Sequence, residues 1–365
     1  MATLKNIAER VGKSVTTVSR ALHGYDDVSP ETKMLVRKVA EEIGYTPNII
    51  AQRLQKKTTD TIGFVIPTYG PRFTDPFFTE FLAGIGNTAA KLGFDLLVST
   101  HPISEEEMRS YQNKVQSYRV DGFILVRTRR DDARIQYLCN INFPFVAFGR
   151  TEGDCPFPYV DVDNRYAMKM IADHLVKLGH RKIAYIGAPN YLMFANERLA
   201  GFKEALKEHD LDLSSSMCKV GDLTQKSGLE QTEALLDYPD PPTAIVTCND
   251  LMALGVIRTA QKRGLQIGED LAVIGYDDIP QAEHNLPSLT TIHQPIYQIG
   301  SKVCNMLICL LKGEVLVDQK IIMKPTLIIR ESCGGHQLNV LEKEAKRKRE
   351  ERKHPLTNQK ELKGI

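Results

Sequence analysis

The octapeptide VTTVSRAL at 15–22 sets Val15, Thr16, Ser19 and Arg20 at i, i+1, i+4 and i+5, one face of a short helix. An arginine there can donate two hydrogen bonds to guanine O6 and N7, while Val15 and Thr16 suit thymine methyls and base edges. Ser19 and Thr17 match phosphate oxygens. A second polar set follows short apolar runs downstream. Asn249-Asp250 come after Ala244–Thr247, Asp277-Asp278 after Ala272–Ile274, Gln294 after Leu289-Thr290-Thr291-Ile292, and Gly149-Arg150 after Phe145–Phe148. Arg198 lies in Glu197-Arg198, ahead of Gly201-Phe202. Carboxylates and a guanidinium form charge-assisted hydrogen bonds to neighbouring hydroxyls, and an aromatic face packs on a ring's C–H surface. Phe73, Phe77 and Phe78 can supply that face, with Asp75 as a further acceptor. Plainer roles compete: Asp250 can cap the helix at 251, Asp278 a turn, Asp161 or Asp163 the helix after Asn164, and Phe78 can be core.

Other chemistries lack their residues. No GxGxxG or GxxxxGK[ST] follows a strand, and no HExxH or GxSxG occurs, so an enzyme is not expected and no cofactor is implied. The nine histidines show no metal-ligand spacing. His174 and His180 flank a helix end, where the dipole favours the cationic form. Cys139, Cys155, Cys218, Cys248, Cys304, Cys309 and Cys333 are odd in number and form no CxxC, which reads as reduced thiols.

The elements that must position these residues are legible in caps and periodicity. Thr3 can cap a helix through Val11, with Leu4, Ile7, Ala8 and Val11 as its apolar stripe, and Gly12 breaks it. Ser14 caps 15–22, which His23-Gly24 closes. Ser29-Pro30-Glu31 starts a third helix running through Leu35, Val36, Val39 and Ile43 to Gly44. Two short helices on a tight turn with a supporting third make helix-turn-helix arithmetic, whose second helix enters the major groove. The same spacing also fits a plain three-helix bundle with an exposed arginine.

This run of residues, from Leu4, Ile7, Ala8, Val11 and Gly12 through Thr17-Val18-Ser19-Arg20-Ala21-Leu22 to Gly24, resembles the N-terminal signature of the lac repressor/galactose repressor family. Val28-Ser29 and Gly44-Tyr45-Thr46-Pro47-Asn48 fit it too, and 47–54 resembles the family's hinge helix. The resemblance covers about 1–333. It implies a DNA-contacting set of Thr3, Ser14, Val15, Thr16, Thr17, Ser19, Arg20, His23, Tyr45, Asn48, Ala51 and Leu54. Leu54 would be the wedge at a central C·G step of a pseudo-palindromic operator, with core packing as its alternative. Hinge helices of some eight residues are marginal alone and would form over the minor groove when two copies of a homodimer meet.

From Asp60 onward, β-branched runs alternate with amphipathic helices. Strands are expected at 62–66, 95–99, 122–126, 145–148, 183–186, 244–247 and 272–274. Helices are expected near 77–92, 104–118, 164–178, 196–208, 224–236, 250–263 and 296–312. Apolar strands without alternation predict buried parallel sheets flanked by helices. The fold class is therefore α/β, with a helix-turn-helix head at 1–46, hinge and linker at 47–59, and a body at 60–333. The resemblance divides the body like a periplasmic sugar-binding protein, into about 60–160 with 295–323, and about 161–292 with 324–333. It places an effector in the cleft between them, at Phe73, Asp75, Phe78, Arg150, Arg198, Asn249, Asp277 and Gln294. Phe145–Arg150 together with Phe73–Phe78 looks most like members that respond to α-glucosides or α-galactosides. A purine or a phosphorylated metabolite acting as co-repressor is the alternative effector.

Charge follows the same division. Residues 1–57 carry ten Lys/Arg against six Asp/Glu, 336–365 nine against five, and the stretch between 28 against 34. A basic head on a mildly acidic body suits a chain whose head alone meets phosphate. The tail 334–365 is a mixed-charge block in which only Leu338, Val340 and Leu341 precede the charges, so a tetramerising helix is not expected. No stretch reaches the ~20 apolar residues of a membrane span, and MATLKNIAERVG lacks a signal-peptide core. The expected location is the cytoplasm, which with the head argues against a secreted sugar-binding transport protein.

Overall fold

In the computed structural model, Thr3 opens the first helix with a reciprocal cap. Its hydroxyl accepts from Asn6 N (3.3 Å) while Asn6 Oδ1 accepts from Thr3 N (2.9 Å). The structure describes residues 2–45, 58–68, 75–102 and 104–335. Helix α1 spans Leu4–Val11 and ends on Gly12 at φ 63°. Ser14 caps α2 (Val15–Leu22), accepting from Thr17 N at 3.1 Å, and Ser29 with Pro30 opens α3 (Pro30–Glu42). Ile7, Ala8, Val18, Ala21, Val28, Val36, Val39 and Ala40 form the buried centre. Leu35, expected on the inner stripe, is 46% exposed. A residue turns about 100° from its neighbour in a helix, and the stripe of Val36, Val39 and Ala40 already fills the interior.

Residues 1–59 and 60–365 form separate units. The second begins with β1 (Thr61–Thr68), α4 (Pro76–Lys91), β2 (Asp95–Pro102), α5 (Glu105–Gln116), β3 (Gly122–Leu125), α6 (Ala133–Asn140), β4 (Phe145–Phe148) and β5 (Tyr159–Val162). It continues with α7 (Asn164–Lys177), β6 (Ile183–Gly187), α8 (Met193–Lys207), β7 (Cys218–Val220), α9 (Gln225–Leu236), β8 (Ala244–Thr247), α10 (Asp250–Lys262), β9 (Ala272–Asp277), α11 (Pro280–His284) and β10 (Thr290–His293). Then come α12 (Ile296–Leu311), β11 (Lys320–Met323) and β12 (Thr326–Ile328).

The strands make two six-stranded sheets, ordered β11-β5-β4-β3-β1-β2 and β12-β10-β9-β8-β6-β7. Every pairing is parallel except β10 with β12. The chain passes between the sheets after β5, after β10 and after β11. The central strands of the first sheet are buried on both faces. Phe64 and Ile66 of β1 enter one apolar cluster with Phe81 and Val303, while Val65 enters another with Tyr111 and Phe123. Helices α4 and α12 pack backbone to backbone: a Cβ on Gly300 would lie 2.4 Å from Phe81 O, and one on Gly84 2.2 Å from Tyr297 O. No helix among the described residues is long and apolar enough to cross a membrane.

Two expectations are overturned. Cys139 and Cys155 are joined in a disulfide, with Cα atoms 6.6 Å apart, whereas the other five cysteines are free. The β3–α6–β4 path brings the end of α6 to the β4–β5 loop, a proximity that sequence spacing does not encode. His174 is pushed down to about 4 by burial, with the positive charge of Lys177 next, and His180 is lowered by burial. Desolvation outweighs the helix dipole, so both are neutral near pH 7. The hinge residues Asn48, Ala51 and Leu54, the stacking candidate Phe73 and the tail 336–365 lie outside the described residues.

Candidate functional site

The head presents one face of α2 to solvent. Val15 is 44% exposed, Thr16 and Arg20 are exposed, and Ser19 is half-buried above the buried Val18 and Ala21. Arg20 is occupied within the head. Its Nε donates to Asp27 Oδ1 (3.1 Å), its Nη2 lies 2.5 Å from Asp27 Oδ2, and its guanidinium sits 5.1 Å from the Tyr25 ring centre. Thr3, Ser14 and Thr17 lie at the starts of α1 and α2, the two serine and threonine hydroxyls of α2 bonded to each other at 2.8 Å. His23 closes α2 through its Nδ1 and Ser19 O (2.6 Å), and Tyr45 is half-buried beside the head's core. Helix N-termini carry free amides and positive dipole ends, which suit phosphate.

In the body, a pocket of about 60 Å³ collects the carboxyl ends of strands from both sheets. Open α/β sheets bind ligands at such strand ends. Asp75 caps α4, accepting from Phe77 N at 3.1 Å, and takes Arg127 Nη2 at 2.5 Å. Arg127 follows β3 at φ 49° and is succeeded by the buried Thr128. Phe77 and Phe148 stack nearly parallel, 5.9 Å between centres and 13° between planes, as one apolar wall. Asp161, at β5, accepts from Arg150 Nε (2.6 Å) and from Val162 N (2.8 Å).

Arg198 is the centre of the opposite side. Buried on α8, it donates from Nε to Asn164 Oδ1 (2.9 Å) and from Nη1 to Cys248 O (2.5 Å). The rings of Tyr276 (3.4 Å) and Phe194 (4.8 Å) flank its guanidinium, and Asp277 Oδ1 is 3.9 Å away. Asp277, at φ 115°, accepts from Gln294 Nε2 at 2.6 Å. Burial pushes its carboxyl up to about 7, against the pull of Arg198 and with the help of the Asp75 charge. Burial also raises Asp161, despite Arg150. Gln294 is 2% exposed and its Oε1 has no hydrogen-bond partner among the described residues.

The fold thus brings Asp75, Arg198, Asn249, Asp277 and Gln294 to one pocket. Asn249 enters with both amide atoms engaged: its Oδ1 caps α10 through Met252 N (3.1 Å) and its Nδ2 donates to Leu223 O (3.0 Å). The cap expected of Asp250 is therefore Asn249's. Asp250 is buried under the β9–α11 turn, accepting from Thr291 Oγ1 and Ile279 N. Of the stacking candidates, Phe78 takes its alternative and is fully buried in the core beneath Arg127, whereas Phe77 lines the pocket. Arg150 stands behind the wall, joining Asp161 to Glu197 (3.5 Å). Asp163 caps α7 through Tyr166 N, while Asp161, the other residue expected as that cap, lines the pocket. Sequence reasoning passed over Arg127, Thr128 and Phe194. The first two obey the strand-end rule already applied elsewhere, and Phe194 sits one helical turn before Arg198 on the same face.

Comparison with known proteins settles the lineage. Residues 3–48 match the family of bacterial regulatory proteins of the lacI type, and 172–333 match the periplasmic binding protein-like domain. The HTH-type transcriptional regulator CelR of Thermobifida fusca is 32% identical over 335 residues, covering 90% of this chain and 98% of CelR. The chain belongs to the LacI family. Its structure resembles that of the CelR–cellobiose complex (TM-score 0.70, 32% identity, 91% of this chain and 100% of that one). It also resembles the lac repressor dimer bound to operator and the anti-inducer ONPF (TM-score 0.80, 29% identity, 91% and 99%). In LacI-family terms, the α2 face belongs to the matched regulatory segment, and Arg198, Asn249, Asp277 and Gln294 belong to the matched binding domain.

Proposed function

We propose that this chain is a sequence-specific DNA-binding repressor whose operator affinity is set by a small neutral carbohydrate in the body's pocket. The observation that carries the effector class is the pairing of three carboxylates with three guanidiniums: Asp75 with Arg127, Asp161 with Arg150, and Asp277 with Arg198. Each pair sets charge-assisted donors and acceptors side by side, which suits hydroxyls. A phosphorylated metabolite would need guanidiniums that carry no carboxylate partner, and each of these three has one. Phe77 and Phe148 are stacked on one another, which leaves no slot between them for a purine, whereas the apolar wall they form suits a sugar's C–H surface. The relative CelR was solved with cellobiose, which supports the same class.

In this reading the head spans 1–46, the hinge 47–59 and the sensor 60–333, in a cytoplasmic homodimer. Two copies of α2 enter successive major grooves of a pseudo-palindrome. Arg20 exchanges Asp27 for guanine, and Val15 and Thr16 meet base edges. Thr3, Ser14, Thr17, Ser19, His23 and Tyr45 meet the backbone, and Asn48, Ala51 and Leu54 the central minor groove. Exposed ion pairs are worth about 0–1 kcal/mol, so releasing Asp27 costs little. Effector and operator then oppose each other through one coupling free energy of about 1–3 kcal/mol, equal in both directions.

A thermal-shift panel of neutral mono- and oligosaccharides, nucleobases and sugar phosphates tests the effector class. Stabilisation by a neutral sugar is expected. A shift with only nucleobases or phosphates refutes it. Selection from random duplexes tests the DNA reading, with a pseudo-palindrome expected and indiscriminate recovery contradicting it.

A further inference from the structure

The disulfide lies outside the paired-charge pocket, yet the loop it ties ends on that pocket. Cys139 sits in the last turn of α6, and Cys155 in the loop between β4 and β5; both are partly exposed. That loop starts at Gly149, which forms part of the pocket wall at φ 110°, so close that a Cβ there would lie 2.5 Å from Thr128 Oγ1. Next comes Arg150, holding Asp161 and Glu197. Thr151 Oγ1 and Glu152 N both donate to Arg130 O (2.7 and 2.9 Å), and Arg130 N donates across to Tyr191 O (2.9 Å) ahead of α8. Between Glu152 and Phe157, the cross-link to α6 is the covalent anchor of a segment that otherwise contains Gly153 and Pro156.

We propose that Cys139 and Cys155 form a reversible thiol–disulfide site that sets how firmly the β4–β5 loop holds the pocket wall. The partner is a low-molecular-weight thiol/disulfide couple. In oxidation, one cysteine thiolate attacks the small disulfide and expels a small thiolate, leaving a mixed disulfide. The second cysteine thiolate then attacks the protein sulfur of that mixed disulfide and expels the second small thiolate. The two protons lost by the cysteines go to the two leaving thiolates, the protein loses two electrons, and the small disulfide gains them. Reduction is the reverse. Closing the ring removes conformations from the loop, so Gly149 and Arg150 are held before a ligand arrives; opening it returns that freedom.

The test uses the full chain equilibrated in buffers of reduced or oxidised glutathione. Maleimide labelling and non-reducing peptide mapping should find Cys139 and Cys155 protected together in the oxidised sample, in one linked peptide pair lighter by two hydrogens. Hydrogen exchange of amides 149–161 should run about threefold or more faster in the reduced sample. Cys155→Ser should exchange at the fast rate in both buffers, and Cys309→Ser should behave as wild type. The reduced wild type supplies the comparison without any substitution. Labelling of both thiols in the oxidised buffer, or equal exchange rates in the two states, overturns the proposal. Neither readout depends on which ligand the pocket takes.

Discussion

Replacing Asp277 with Asn should make the body more stable at alkaline pH and change how its stability follows pH. The carboxyl titrates near 3.8 in a solvated chain and is pushed to about 7 in the fold, chiefly by burial. The native state therefore holds this proton more tightly than the unfolded chain does. Below about pH 4 both states are protonated and the group is neutral in the balance. As pH rises from about 4 to about 7 the unfolded chain ionises first, and native stability falls. The whole penalty is about 4 kcal/mol, at 1.36 kcal/mol for each pH unit between the two values. About 3 kcal/mol of it falls between pH 5 and 8.5. Asn keeps the shape and a partner for Gln294 Nε2 but has no proton to lose. Urea unfolding of both proteins from pH 5 to 8.5, compared as a difference at each pH, isolates this group from the other titrations. The variant should gain on wild type steadily up to about pH 7 and level off above it. A difference constant to within about 1 kcal/mol across that range would refute the claim that Asp277 is held partly protonated.

Arg20→Ala should lose about 1–3 kcal/mol of discrimination between operator and scrambled duplex in competition binding. Its helices should stay folded by circular dichroism, and full sequence preference in the variant would contradict the assigned contact. Gly300→Ala drives a methyl against the Phe81 carbonyl, 2.4 Å from where the Cβ must sit, and should lower stability by about 1–3 kcal/mol in urea unfolding. A wild-type midpoint would show that α4 and α12 part easily. Glu107→Ala leaves Arg134, 1% exposed, with Asp132 as its remaining carboxylate, and strips Arg129 of its own partner. Removing one member of so buried a cluster should cost about 3–5 kcal/mol. A loss below 1 kcal/mol in the same assay would mean that water reaches the site.

The sequence alone determined what depends on neighbours along the chain. The caps Thr3, Ser14 and Ser29, the face of α2, and strands such as Phe145–Phe148 and Ala244–Thr247 are set by hydrogen bonds and side-chain spacing within a few residues. Strand-end polar residues were legible for the same reason, since a parallel strand's carboxyl end is a local event with a known destination. Short elements escaped: the edge strands β7 and β12 have three residues each, and the inner β5 carries Asp161 inside it, so neither length nor apolarity marks them. Tertiary structure decided which of two adjacent residues faces the pocket. Phe77 rather than Phe78, Asn249 rather than Asp250 as the cap, and Asp161 rather than Asp163 as the pocket carboxylate follow from sheets and helices brought together over long separations. The same holds for the Cys139–Cys155 bond and for the proton on Asp277. Burial and the approach of distant charges arise only when the chain folds, and no local pattern records them.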